Sequence, residues 1–158
     1  MAEKDKESHL IQLRFKIFSD IEAEKTALAL EEVKNTRLFL NGEEISTKAE
    51  GYYVDRSIAK VPLPRLHRGE NILITQVKYN SRVNLEAMYL LGDFGVKLAG
   101  RNTRLIKAEE KMAFGDVRSQ GLPFYGGNLT YKTSIDIREK CDLKIEITRF
   151  KSPLLKVF

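Results

Sequence analysis

Several residue types that mark whole classes of protein are scarce in this 158-residue sequence. The single cysteine, Cys141, excludes an intrachain disulfide framework and any multi-cysteine metal site. Tryptophan, the strongest residue for stacking on flat ligands, is absent. The two histidines, His9 and His67, lie far apart in the sequence and have no paired nucleophile, which argues against a histidine-dependent catalytic triad.

Long apolar runs are also missing. No stretch approaches the roughly 18 apolar residues of a membrane span, and residues 1–9 lack the apolar segment of a signal peptide. We therefore expect no membrane partner, and the sequence does not assign a cellular location. The apolar run Leu154–Phe158 ends the sequence without a turn or a polar tail, which is typical of a fragment.

The charge balance is basic, with 27 Lys and Arg against 22 Asp and Glu and a net charge of +5. Such a surplus is a feature of proteins that neutralise phosphates. Here the basic residues are interleaved with acids, and the densest group, formed by Arg65, His67 and Arg68, occupies one loop. The pattern favours a solvated surface of mixed charge, so we expect no nucleic-acid partner.

What is present is strand periodicity. Hydrophobic residues make up 42% of the chain, enough for a real core, and apolar and polar residues alternate with the period of two of half-buried strands. Short strands separated by turn residues predict an all-β sandwich. The predicted strands are Ile11–Phe18, Arg37–Leu40, Ile72–Tyr79, Met88–Leu98, Asn128–Ile137 and Leu143–Phe150, with shorter ones at Tyr52–Val54 and Ser57–Val61.

Turn residues fix some boundaries and leave others open. Asn41-Gly42 predicts a type I′ hairpin because both residues tolerate positive φ. Helix propensity and strand alternation compete in Ile21–Val33, and Leu105–Met112 is similarly ambiguous. We place a domain boundary in the second of these segments, Leu105–Met112. Residues 9–112 are predicted to form the sandwich, and residues 113–158 to add strands that either complete it or begin a second one.

One stretch combines a glycine- and aromatic-rich turn with a clean alternating strand. It runs from Gln120 to Tyr131 and reads Gln-Gly-Leu-Pro-Phe-Tyr-Gly-Gly-Asn-Leu-Thr-Tyr. Leu129, Tyr131, Ile135 and Ile137 fall on one face of the strand that follows. This face is expected to pack against a core, with Phe124 and Tyr125 at an interface between sandwich elements.

Three motifs in order carry a resemblance to a known family. They are Arg37-Leu38-Phe39-Leu40-Asn41-Gly42, Tyr53-Val54-Asp55-Arg56 and Arg68-Gly69-Glu70-Asn71-Ile72-Leu73-Ile74. In this arrangement a strand ends in Asn-Gly, an Asp follows in a later strand or loop, and a Gly-x-Asn turn leads into another strand. It resembles the galactose-binding-like jelly rolls that accompany the catalytic domains of bacterial glycoside hydrolases. The segments Asn84–Val96 and Gln120–Gly127 look similar to parts of the same proteins.

The resemblance implies a jelly-roll β-sandwich of the galactose-binding-like type. It also implies a non-catalytic accessory domain whose partner is a carbohydrate or the neighbouring catalytic domain of the parent protein. A glycosidase centre needs two carboxylates held several ångströms apart, and nothing in the sequence selects such a pair. We therefore expect that the chain is not itself an enzyme. It needs no cofactor; sandwiches of this kind often carry a structural calcium ion, but Asp-rich loops are lacking.

Residue type and loop position select the candidate sugar contacts. Aromatic faces stack on sugar C–H surfaces, while Asn, Asp and Arg side chains bond to hydroxyl groups. Four candidates also have a purely structural interpretation: Asp55 as a turn cap, Asn71 as a residue that closes its own turn, and Tyr52 and Tyr53 as packing beneath loops. A structural or interdomain sandwich that binds no sugar is therefore the alternative function. The candidates are Tyr52, Tyr53, Asp55, Arg56, Asn71 and Tyr125.

Overall fold

The computed structural model describes residues 8–100, 102–148 and 154–157. Packing divides the chain into two units, one running to Gly127 and the other from Asn128 onward. The predicted boundary after residue 112 stays a prediction. The first unit contains ten strands in two sheets, which confirms the predicted all-β fold. The strands are β1 (His9–Ser19), β2 (Ala27–Leu30), β3 (Thr36–Leu40), β4 (Glu43–Ile45), β5 (Tyr52–Tyr53), β6 (Asp55–Pro62), β7 (Gly69–Tyr79), β8 (Tyr89–Leu91), β9 (Gly95–Lys97) and β10 (Arg104–Ile106).

The larger sheet has six strands in the order β4-β3-β7-β1-β10-β9, and the smaller has four in the order β5-β6-β2-β8. All pairings are antiparallel except the short parallel contact of β1 with β10. Buried residues of both sheets join in one hydrophobic core, among them Leu28 and Val61 of the smaller sheet and Leu38 and Leu73 of the larger. The two sheets therefore bury a shared apolar layer, as a β-sandwich requires.

The Asn41-Gly42 hairpin forms as predicted. Asn41 has φ 53° and Gly42 has φ 90°, the two positive values of a type I′ turn, and Leu40 pairs with Glu43 across it. Leu38 and Leu40 are buried in the core, whereas Arg37 is exposed and binds Glu44 on the partner strand, with Nε to Oε1 at 2.8 Å. Strand alternation and turn chemistry thus agree here.

The ambiguous segment 21–33 contains a strand and no α-helix. All four residues of β2 are buried, because this strand lies inside the smaller sheet and pairs with both β6 and β8. Leu28 and Leu30 enter the core, whereas Ala27 and Ala29 face the other side of the sheet. Packing on both sides outweighs the helix propensity of the segment.

The predicted strand Met88–Leu98 is two strands that belong to different sheets. β8 pairs with β2, whereas β9 pairs with β10, and the chain bends between them at Gly92. A Cβ atom at Gly92 would lie 2.8 Å from the ring of Phe94 and 3.1 Å from Thr26 Cγ2. A side chain at position 92 would force these neighbours to shift, and glycine avoids this contact at the bend that divides the predicted strand.

The second unit departs most from the sequence-based prediction. Residues 128–148 and 154–157 form no helix or strand, although Asn128–Ile137 and Leu143–Phe150 were predicted as strands; the last two residues of that second range lie outside the described residues. Leu129, Ile135 and Leu143 are exposed. An alternating segment becomes a strand only when another strand satisfies its backbone groups, and the described part of this unit supplies none.

Asp116 caps the short 3₁₀ turn Val117–Gln120 and has the most perturbed carboxyl group of the described residues. Its carboxylate accepts hydrogen bonds from the Arg118 guanidinium, with Nη2 to Oδ2 at 2.8 Å, and from the Arg118 backbone N–H at 3.0 Å. The side-chain bonds and then the backbone bond lower the pKa of Asp116 from 3.8 to about 2. Both groups lie at the surface.

A pH titration of the Asp116 carboxyl group should show directly whether it caps this turn. We expect the carboxyl carbon of Asp116, followed by ¹³C NMR, to titrate with a midpoint near pH 2, and at a higher pH in Arg118→Met, which removes the guanidinium but keeps the backbone bond. Because the folded pKa is depressed, the stabilisation is complete above the unfolded pKa and disappears as the pH falls toward 2. Equal midpoints in the two proteins would contradict the assigned bonds.

Candidate functional site

The β5–β6 hairpin brings four of the six candidate residues together. Tyr53 pairs with Asp55, so a single residue, Val54, makes the turn, and it takes the positive φ of 61°. Asp55 Oδ1 accepts hydrogen bonds from the backbone N–H and the hydroxyl of Ser57, both at 2.8 Å. These bonds, the backbone one first, hold the pKa of Asp55 below its usual value. The carboxylate of Asp55 is thus a turn cap.

The strand register defines the outer face of the smaller sheet, the side turned away from the core. Leu28 and Val61 pair and both enter the core, as does Leu90, the other partner of Leu28. Since successive side chains alternate and paired residues share a face, the neighbouring row must point outward. This outward row consists of Lys60, Ala29 and Tyr89, one residue from each of β6, β2 and β8.

Two tyrosines meet over this outer face. The rings of Tyr53 and Tyr89 have centroids 5.5 Å apart and are tilted by 47°, although their strands are the two outermost of the sheet. Ala29 faces outward yet is 0% exposed, so other groups cover its methyl group. Tyr89 keeps 44% of its surface exposed. The pair therefore forms an aromatic surface supported by a small residue, which we call the tyrosine platform.

Two basic residues, Lys60 and Arg56, belong to β6, the strand beside β2 and β5. Lys60 lies in the row beside Ala29, and its backbone bonds to the segment before β5, with Lys60 N to Gly51 O at 3.1 Å. Arg56 is exposed near the start of the same strand, where the pairing of β5 with β6 shifts register. Among the described residues, neither side chain has an ion-pair or hydrogen-bond partner.

Asn71 plays a structural part. Its side chain is 0% exposed; Oδ1 accepts from His67 N at 2.9 Å, and Nδ2 donates to His67 O at 2.7 Å. Asn41 Nδ2 also donates to Asn71 Oδ1 at 3.1 Å, while Asn41 Oδ1 accepts from Ile72 N at 2.8 Å. Asn71 therefore ties the loop before β7 to the β3–β4 turn, and the geometry gives no support to its predicted contact with a sugar.

Tyr125 lies apart from the hairpin in sequence and in sheet connection. It follows the 3₁₀ turn Val117–Gln120, and that loop is anchored to β9 of the larger sheet through Val96 N to Gly121 O at 2.7 Å. The ring of Tyr125 packs close to Gly127, where a Cβ atom would lie 2.7 Å from the tyrosine hydroxyl. Phe124 is 75% exposed. The expected interface for these two aromatics stays a prediction.

Sequence reasoning missed Tyr89. Tyr89 lies in a three-residue strand, and its ring contacts that of Tyr53, more than thirty positions earlier in the sequence. The signal in the sequence is Ala27-Leu28-Ala29-Leu30, where alanines alternate with core leucines and leave room for large side chains above them. Tyr52, 57% exposed at the sheet edge, pairs with Ala59 and so belongs to the opposite face from Tyr53.

A shallow depression lies on the larger sheet. It is lined by Arg14, Asn41, His67 and Glu70 over a floor that includes Ile72. The Asn41 side chain of this depression already accepts a hydrogen bond from Ile72 N, and Glu70 accepts a hydrogen bond from Lys16 at 3.1 Å. Of the five polar side chains in its lining, those of Gln12, Asn41 and Glu70 are thus already engaged.

The described residues contain no cluster of three or more His, Cys, Asp or Glu side chains placed to bind a metal ion. In the same part of the chain, no helix has the length and apolar character to cross a membrane. Comparison with protein-family models, with curated proteins and with solved structures finds no match. Any function must therefore be argued from the surface itself.

Proposed function

We propose that the chain is a non-catalytic, carbohydrate-binding accessory domain, and that its sugar contacts lie on the tyrosine platform. The observation that carries this proposal is the Tyr53–Tyr89 pair, two partly exposed rings held over a buried alanine on the outer face of the smaller sheet. Aromatic faces complement the C–H surface of a pyranose ring, and the hydroxyl ends of the tyrosines can donate or accept hydrogen bonds. Arg56 adds donors in the same hairpin as Tyr53.

The two-sheet architecture supports the finer parts of the proposal. A jelly roll of the galactose-binding-like type is a sandwich with loops and faces available for a glycan, and the resemblance of three ordered motifs points to that type. The parent protein is then a bacterial glycoside hydrolase, with this domain beside its catalytic domain. The mechanism is positional, since a rigid sandwich holds a glycan near the catalytic cleft or shapes its rim.

A specific observation favours the second candidate, a structural or interdomain sandwich that binds no sugar. Two residues of sugar-binding type, Asp55 and Asn71, are engaged in turns of the protein itself. Under this alternative the exposed rings of Tyr52 and Tyr89 pack against a neighbouring domain.

The platform is tested by removing its rings. We expect Tyr53→Ala and Tyr89→Ala each to weaken binding of an oligosaccharide about tenfold, and the double variant to abolish it, because each ring provides stacking area. Binding is measured by ¹H–¹⁵N NMR titration against a panel of oligosaccharides, with folding checked by thermal melting. Tyr131→Ala, a ring in the second unit, is the matched control.

The same panel separates the alternatives. If Tyr125→Ala abolishes binding and the platform variants leave it unchanged, the site lies in the loop before the second unit. If no oligosaccharide shifts any amide signal of the folded protein, the carbohydrate-binding function is wrong and the interdomain alternative replaces it.

A further inference from the structure

We infer that Asn41 is a site of spontaneous deamidation, and that the hydrogen bonds of its side chain set the rate of this modification. The inference is independent of any bound sugar. Residues 41 and 42 form the only Asn-Gly pair in the sequence, and asparagine is among the chemically labile residues. Because glycine has no Cβ atom, its backbone nitrogen can approach the preceding side chain with little steric hindrance.

The reaction joins two groups of the same turn. The Gly42 backbone nitrogen loses its proton to hydroxide and attacks Asn41 Cγ; the Cγ–Nδ2 bond breaks, Nδ2 leaves as ammonia, and a cyclic imide remains. Water then adds to one of the two imide carbonyl carbons and breaks its bond to the ring nitrogen, which gives aspartate or isoaspartate. In total a water molecule is consumed and an ammonia molecule is released, so no oxidant, reductant or cofactor takes part.

The turn gives water access to both reacting groups. Asn41 and Gly42 are exposed between β3 and β4, and both line the shallow depression on the larger sheet. No atom of a neighbouring residue lies within 4 Å of the position that a Cβ atom would take at Gly42. Hydroxide can therefore reach the Gly42 backbone nitrogen, and water can reach the imide.

Hydrogen bonds restrain Asn41 in the closed turn. Nδ2, the atom that must leave, donates to Asn71 Oδ1 at 3.1 Å, and Oδ1 accepts from Ile72 N at 2.8 Å. Asn41 N also donates to Ile72 O at 2.8 Å. Ring formation removes Nδ2 and moves Cγ, so the side-chain bonds must open first. The rate in the folded protein is then the rate in the open turn multiplied by the fraction of molecules in which the turn is open.

The products cannot restore the original contacts. In aspartate, a carboxylate oxygen replaces Nδ2 and faces Asn71 Oδ1, an acceptor on a side chain that is 0% exposed. Isoaspartate adds a methylene group to the backbone of a turn that holds Leu40 in register with Glu43. Asn71 also binds the His67 backbone, so the change reaches the loop before β7. Deamidation therefore loosens the link between this loop and the β3–β4 turn.

Peptide mapping of the full chain tests the site. The chain is incubated in mildly alkaline buffer, folded or unfolded in guanidinium chloride, and its digests are followed by mass spectrometry. We expect the Asn41 peptide to gain about 1 Da as the amide becomes a carboxyl group, and to do so roughly tenfold more slowly in the folded protein. Asn80 and Asn84, which precede serine and leucine, are internal controls and should react more slowly than Asn41 in the unfolded chain. Equal rates for Asn41 in the folded and unfolded chains overturn the inference.

Two variants show which motion controls the reaction. Asn71→Ala removes the acceptor of Nδ2 and should speed the deamidation of Asn41 about fivefold, because one bond fewer holds the turn closed. Leu38→Ala is the matched control: it also destabilises the protein, through the core, but keeps both Asn41 side-chain bonds and should leave the rate unchanged. Equal acceleration by the two variants would mean that global unfolding controls the reaction, which overturns the role of the hydrogen bonds.

Asn41→Asp reproduces one of the products. We expect this variant to melt roughly 5 °C below the parent protein and to shift the amide NMR signals of His67 and Asn71. Asn102→Asp, a change of the same chemistry at an exposed position, should melt with the parent. Equal melting temperatures for the two variants, with the His67 signal unmoved, would show that deamidation does not loosen the loop.

Discussion

Replacing Leu38 by alanine is expected to lower the free energy of unfolding by about 3 kcal/mol, the middle of the range for large-to-small changes in a core. Leu38 is 0% exposed and belongs to the core cluster that both sheets share. Its strand β3 pairs with β4 on one side and β7 on the other, so the surrounding backbone is fixed and cannot easily close the cavity. Urea unfolding followed by circular dichroism measures the loss.

The control for this prediction is Leu10→Ala, since Leu10 is 66% exposed on β1. That change should alter the free energy of unfolding by less than about 0.5 kcal/mol. In thermal melts the Leu38 variant should unfold roughly 10 °C below the parent protein. Equal destabilisation by the two variants would show that Leu38 does not occupy a tightly packed position.

Asn71→Ala is expected to destabilise the sandwich by about 2 to 4 kcal/mol, because it leaves buried polar groups without partners. The truncation removes both side-chain bonds to the His67 backbone and the bond donated by Asn41. Asn71→Asp is also expected to destabilise, since a carboxylate oxygen would face the His67 carbonyl where the amide now donates. Chemical denaturation again gives the magnitude.

Asn84→Ala is the matched control for the buried amide. The Asn84 side chain is exposed and donates only to the Glu86 carboxylate at 2.6 Å, so its loss should change stability by less than about 0.5 kcal/mol. An Asn71→Ala protein as stable as the parent would mean that the loop before β7 is held by other contacts.

The sequence predicted best those elements whose local pattern and tertiary surroundings agree. β1 and β7 alternate cleanly and pair along eleven residues, from His9 with Tyr79 to Ser19 with Gly69. The Asn41-Gly42 turn needs only its own two residues to adopt positive φ. For these elements local chemistry is sufficient.

The failures have physical causes that lie outside each local segment. The bend at Gly92 depends on the Phe94 ring and on Thr26, which is distant in sequence. The alternating segment that begins at Asn128 has the composition of a strand, but composition does not supply a partner strand. The tyrosine platform could not be predicted for the same reason. Tyr53 contacts Tyr89 only because the sheet places β8 two strands away from β5. Tertiary pairing carries this information.

The position of β1 in the larger sheet determines when the fold can be completed. Its neighbours are β7 and β10, and the ion pair between Asp20 and Arg104, which joins the end of β1 to β10, links residues 84 positions apart. A chain emerging from the ribosome therefore carries β1 without β7 until residue 79 has been made, and without β10 until residue 106 has been made. Loop closure over such distances slows folding, so the order of translation leaves this apolar strand available to other molecules until β7 and β10 have been made.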